Sequence, residues 1–132
     1  MTMTGEDFDW VSAQAACTST LMFQRLLDGA RKDTERRTFT GGDLRFEFHS
    51  DEPEQFEVNR ATASGKVTAV VTFEHNGPRI EIHGDGVDVQ MTAVVGINAA
   101  GECRYFVGEA EYLGWEIRKM ALDVLFFESQ DE

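Results

Sequence analysis

Between Thr18 and Arg37 the apolar residues Met22, Phe23, Leu26, Leu27 and Ala30 recur at the spacing of one helical stripe. The spacing predicts a helix over 18–37. Thr18 or Ser19 suits its start, because a hydroxyl there accepts a hydrogen bond from an N–H that the first turn leaves over. Arg31, Lys32, Arg36 and Arg37 suit the negative end of its dipole, and Thr40-Gly41-Gly42 ends it. The preceding stretch EDFDWVSAQAAC is ambiguous: its alanines favour helix, whereas Phe8, Trp10 and Val11 also suit a packed extended segment. Residues 1–17 are therefore left as an element of open type.

From residue 43 onward the pattern changes to period two, broken at regular intervals by turn residues. A slip of one residue would turn a strand's whole apolar set to the wrong side, so turns and apolar faces must agree. A turn at Asn76-Gly77 sets Phe73 opposite Ile80 and Val71 opposite Ile82, with Pro78 calling for a wider loop because it lacks an N–H. Asp85-Gly86 sets Ile82 opposite Val89, Ile80 opposite Met91 and His83 opposite Asp88. A loop with Gly101 in the left-handed region pairs Ile97 with Cys103 and Val95 with Tyr105. Ser64-Gly65 pairs Val58 with Val71 and Phe56 with Phe73, and the loop at Pro53 pairs Phe48 with Phe56 and Phe46 with Val58. The last stretch, WEIRKMALDVLFF, has helical spacing as well. A turn at Leu113-Gly114 nevertheless folds it back as a strand, with Met120 opposite Val107, Leu122 opposite Tyr105 and Val124 opposite Cys103. Two pairs are misfits in this register, Glu47 with Glu57 and Glu111 with Glu116.

The expected fold is α+β: an N-terminal helix packed in the concave face of a strongly curved antiparallel meander of about seven strands over 43–127, open or partly closed into a barrel. In outline a helix followed by such a sheet resembles cystatin-like and lipocalin-like architectures, and an outline carries no function with it. The 132 residues are read as a single domain, 1–132, ending in an acidic tail at 128–132.

Composition narrows the function. Twenty-four acids against 12 bases give a net charge of −12, a field that repels phosphate backbones and anionic membrane surfaces, so neither nucleic acid nor membrane is an expected partner. The N-terminus has no basic segment followed by an apolar one, which places the protein in the cytoplasm. Cys17 and Cys103, far apart and without CxxC spacing, read as buried free thiols.

Candidate chemistry is sparse. His75 and His83 fall on opposite faces of the meander and cannot share a metal ion; no metal or cofactor is expected. Chaining the pairings leaves an outer row of Arg45, Asn59, Val70, His83, Asp88, Tyr112 and Trp115. Within it His83 beside Asp88 has the makings of a general base, and Tyr112 of an oxyanion donor. The plainer reading is an ordinary cross-strand pair.

The outer face also changes character along the sheet. Val94, Phe106, Tyr112, Trp115, Ile117, Leu125 and Phe127 point outward there, an apolar patch too large to leave in water. A second copy of the chain is the favoured cover. The sequence thus points to a non-enzymatic acidic binding or protein-interaction module, homodimeric through its last two strands, whose partner is a protein surface or a small apolar ligand. The alternative is a small enzyme or ligand-binding protein using His83, Asp88 and Tyr112.

Overall fold

The elements run α1 (Trp10–Ala16), α2 (Ser19–Phe39), β1 (Arg45–Glu52), β2 (Gln55–Ala61), β3 (Val67–Asn76), β4 (Arg79–Asp85), β5 (Gln90–Ile97), β6 (Cys103–Val107), β7 (Ala110–Tyr112) and α3 (Gly114–Phe127) in the computed structural model. The structure describes residues 7–127; the expected acidic tail, 128–132, and the first six residues of the open N-terminal element lie outside the described residues.

Helix α2 forms where its stripe predicts. Thr18 is the cap, its hydroxyl accepting from the Leu21 amide at 3.1 Å, and Met22, Phe23, Leu26, Leu27, Ala30 and Thr34 are buried. Each such aliphatic or aromatic side chain removed from water contributes about 1.5–3 kcal/mol. Among the described residues seven strands pair in chain order, β1 to β7, with β1 and β7 at the edges.

The expected seventh strand is a helix. The seventh strand of the sheet is instead cut from the expected sixth, at the turn carrying Gly108, φ +62°. After β7 the chain turns at Leu113, whose carbonyl accepts from the amides of Glu116 and Ile117 while the Glu116 carboxylate accepts from the Leu113 amide at 2.7 Å. This reciprocal cap starts α3. Ile117, Ala121, Leu122, Leu125 and Phe126 then fall on one buried face. The Glu111–Glu116 misfit was the sign that strand register does not extend past Gly114: Glu116 caps α3, and Glu111 instead accepts from Asn98 at 2.7 Å.

Helices α2 and α3 run parallel along the same face of the sheet, as two cross-links require: Arg118, in the second turn of α3, reaches Asp33 at 2.8 Å, and Arg37 donates to the Phe126 carbonyl at 2.9 Å near both C-terminal ends. The second helix supplies the apolar cover that a strongly curved sheet would otherwise have to find in itself. The sheet is accordingly neither closed nor strongly curled, a correction to the barrel-like expectation. Gly29 in the middle of α2 leaves room for the Arg118 side chain that crosses it, which a Cβ there would force to shift.

Register agrees with expectation in β2–β3, where Val58 faces Val71 and Phe56 faces Phe73, and in β5–β6, where Ile97 faces Cys103 and Val95 faces Tyr105. Elsewhere it slides by two. Phe73 pairs with Ile82, because Gly77 at φ +60° and Pro78 form the whole turn between Asn76 and Arg79; Pro78 sits where no N–H is needed. Ile82 pairs with Met91 rather than Val89, and Phe48 with Val58 rather than Phe56. The last shift replaces the Glu47–Glu57 misfit with Glu47 opposite Asn59 and His49 opposite Glu57.

Two further features depart from the sequence reading. Cys17 and Cys103 form a disulfide, with Cα atoms 5.4 Å apart; two lone thiols far apart in sequence say nothing about the fold bringing them together. Arg60 is buried at 1% exposure in an inward position of β2. Its guanidinium donates to the Leu125 carbonyl at 3.1 Å and to the Thr68 hydroxyl at 3.2 Å, placing a cation at the negative end of α3.

Candidate functional site

The structure takes the histidine row apart. His83 lies opposite Thr72 and Gln90, and its nearest carboxylate is Glu74 at 3.6 Å, both side chains partly exposed. Asp88 sits outside the strands in the loop before β5, because the slide in β4–β5 carries it past His83. Tyr112 pairs with Tyr105 and packs against the core, on the face of the sheet opposite His83. Of the remaining row, Asn59 keeps a buried Oδ1 without a hydrogen-bond partner. No group of three His, Cys, Asp or Glu side chains suited to a metal ion occurs among the described residues.

One contact missed by the sequence reading has the spacing of a nucleophile and its base: Ser19 Oγ lies 2.8 Å from His75 Nε2. The same hydroxyl donates to the Gly77 carbonyl at 2.9 Å. Its one proton is thereby committed, so the imidazole must be the donor, the reverse of what activates a serine. His75 also stacks on Phe23, with ring centroids 5.3 Å apart. The trio pins the start of α2 to the β3–β4 turn.

The expected apolar patch dissolves as well. Ile117 and Leu125 are fully buried in the core, and Tyr112 faces inward. Val94 and Phe106 stay on the outer face as neighbours in the β5–β6 ladder. Trp115 and Phe127 remain exposed, but they stand on α3 instead of a strand. What unites them is a groove of about 330 Å³ between α3 and the C-terminal half of α2. Leu122 and Phe126 contribute its apolar lining, and Trp115 and Phe127 stand twelve positions apart along α3, about 18 Å at the helical rise.

Four cations line the same groove, Arg36, Arg37, Arg118 and Lys119, against the two acids Asp33 and Asp123. Arg37 is fixed from several sides: its guanidinium stacks over Phe46 at 4.7 Å and over Phe127 at 5.0 Å, and bonds the Phe126 carbonyl. Lys119 and Arg36 are largely exposed. The groove belongs to a wider asymmetry. Arg25, Arg31, Lys32, Arg36 and Arg37 on α2 with Arg118 and Lys119 on α3 make seven of the chain's 12 bases, and these helices carry only Asp28, Asp33, Glu35, Glu116 and Asp123 of its 24 acids. The helical layer is thus net positive on a chain of charge −12. In the sequence the α2 bases were legible only as dipole complements, since nothing indicated that a second helix would lie beside them.

A smaller cavity of about 250 Å³ near the start of α3 is lined by Arg25, Arg104, Arg118 and Tyr105. The Tyr105 hydroxyl donates to the Met22 carbonyl at 2.7 Å, and burial pushes its pKa up to about 12. At neutral pH it is a structural donor. Comparison with protein-family models, with curated proteins and with solved structures finds no match.

Proposed function

We propose that the chain is a protein-interaction module whose α2–α3 groove receives an amphipathic helical segment of a partner, with apolar anchors on one side and acidic residues beside them. The observation that carries this reading is the joining of an aromatic-ended apolar floor to a cationic rim on a chain that is otherwise strongly acidic. Apolar anchors gain from leaving water, and the rim selects acidic flanks and speeds their approach. A length of about 18 Å matches roughly three turns of helix. Against the cytoplasmic expectation, the Cys17–Cys103 bond favours a compartment in which disulfides persist.

The test uses a synthetic helical peptide of about three turns with two leucines one turn apart, flanked by glutamates. Emission of Trp115 is followed in a Trp10→Phe background. Saturable binding is expected, weakened at least about tenfold by Lys119→Glu and by raised salt. Equal affinity for a lysine-flanked version of the peptide, or no saturation at millimolar concentration, overturns the reading.

A further inference from the structure

The two edges of the sheet are not alike. Strand β7 is three residues long and passes directly into α3, whereas β1 runs for eight residues without a lysine or proline. Short strands, lysines, prolines, bulges and a covering helix are the usual defences against pairing with another strand; β1 has an irregularity between His49 and Glu52 and a contact from the Thr38 hydroxyl, and is the longer and more open of the two edges.

Its outward backbone groups follow from the ladder. The two-residue turn makes Asn76 and Arg79 a hydrogen-bonded pair, and bonding then alternates across the sheet. Carried back through Phe73–Phe56 and Val58–Phe48, it leaves Arg45, Glu47 and His49 bonded to β2 and turns the peptide groups of Phe46, Phe48 and Ser50 toward the open edge. The Thr38 hydroxyl donating to the Phe46 carbonyl at 3.3 Å agrees with this, and leaves that oxygen a second lone pair.

We propose that β1 pairs antiparallel with β1 of a second copy about a twofold axis at Phe48, continuing the sheet across a homodimer. In this register Phe48 meets its own counterpart, Glu47 meets His49, and Arg45 meets Asp51. The strand RFEFHSD is thus charge-complementary to itself about Phe48. Centres at Glu47 and His49 set Glu47 against itself and against Asp51, and the ladder's polarity forbids both; of the centres it admits, Phe46, Phe48 and Ser50, Phe48 pairs the longest run of β1. An axis perpendicular to the sheet places both copies' helices on one face. The open groove of about 570 Å³ between α2 and β1 then faces its twin, which covers Phe39, 93% exposed at the end of α2.

Arg45→Glu and Asp51→Arg test the register, since both residues are exposed and outside the core. Sedimentation equilibrium of the unmodified chain is expected to give the mass of two chains. Each variant alone puts like charges at both ends of the seam and should raise the dimer dissociation constant at least about tenfold. An equimolar mixture restores opposite charges at both ends and should recover a heterodimer of wild-type affinity. A monomer at several hundred micromolar, a dimer that neither substitution weakens, or a mixture no tighter than its components overturns the proposal.

Discussion

Helices α1 and α3 carry one tryptophan each, Trp10 at 59% exposure and Trp115 at 55%, yet they are held in opposite ways. Helix α1 buries none of its residues. Asp9 caps it, accepting from the Ser12 amide and hydroxyl, and these bonds hold its carboxyl below the ordinary value. Beyond that, α1 depends on the Cys17–Cys103 bond at its end and on the Phe8 ring lying over Gly101. Helix α3 has no covalent tie. It is held by a stripe of five buried side chains and by Arg37 and Arg60 on its final carbonyls. A tether fixes where a segment is without burying it; packing fixes it at every turn.

The largest effect is expected where the tether is cut. A cross-link between residues 86 apart removes about 4.6 kcal/mol of unfolded-chain entropy on the loop-closure account. Cys17→Ser/Cys103→Ser should lose stability of that order in a urea titration. Fluorescence polarisation of Trp10, measured in a Trp115→Phe background, should fall toward that of a flexible peptide. Trp115, measured in a Trp10→Phe background, should keep its native polarisation until global unfolding. An equal early loss at both reporters would end the distinction between tether and packing.

Arg60→Met breaks the other side of the comparison. It deprives the Leu125 carbonyl and the Thr68 hydroxyl of a buried donor, at a cost of about 3 kcal/mol. Amide exchange at Val124 to Phe127 should accelerate while Trp10 polarisation stays unchanged. Lysine should not restore stability, having no planar fork to reach two acceptors at once. If Arg60→Met matches the wild type, the apolar stripe and Arg37 hold α3 without Arg60.

How far these elements were legible depends on what each pattern can encode. Helix α2 carried both stripe and cap, and the strands carried alternation and turns. Register was readable in β2–β3 and β5–β6, whereas β1–β2, β3–β4 and β4–β5 each slid by two. Polarity repeats every two residues, so it forbids odd slips and is blind to even ones. The core survives that blindness, because Ile82 faces inward beside Met91 as well as beside Val89. A site does not survive it, because His83 and Asp88 part company. Arg60 at an inward position of the alternation was a visible anomaly, and what it meant depended on a helix end sixty residues away, for which β2 holds no signal. Trp115 and Phe127 are exposed, and a helix rather than the expected strand presents them.

Tyr105 is the next probe, because its hydroxyl bonds the Met22 carbonyl of α2 and its ionisation therefore acts on the packed layer. Its pKa is raised from 10.0 to about 12, chiefly by burial, against a weaker opposing pull from Arg25 and Arg118. The neutral phenol is the form the fold favours. The stabilisation is therefore fully present below about pH 10 and is lost as pH rises through about 12, a total of about 3 kcal/mol. The stability of Tyr105→Phe should lack this fall. A variant that declines as steeply as the wild type would assign the alkaline transition to another group.

The smallest expected effect tests whether α1 has any packing of its own. Phe8 is 45% exposed, and the covered part of its ring rests where a Cβ on Gly101 would overlap it. Covering about half a ring contributes roughly 1 kcal/mol at most, and Phe8→Ala should lower global stability by no more than that. Its effect should be local. With the disulfide intact, Trp10 polarisation should fall partway toward the value in the Cys17→Ser/Cys103→Ser protein, because the bond restrains Cys17 while leaving the helix before it free to swing. A loss of about 3 kcal/mol, the scale of truncating a core side chain such as Leu125, would make α1 a packed element after all, with the disulfide as reinforcement and no longer its anchor.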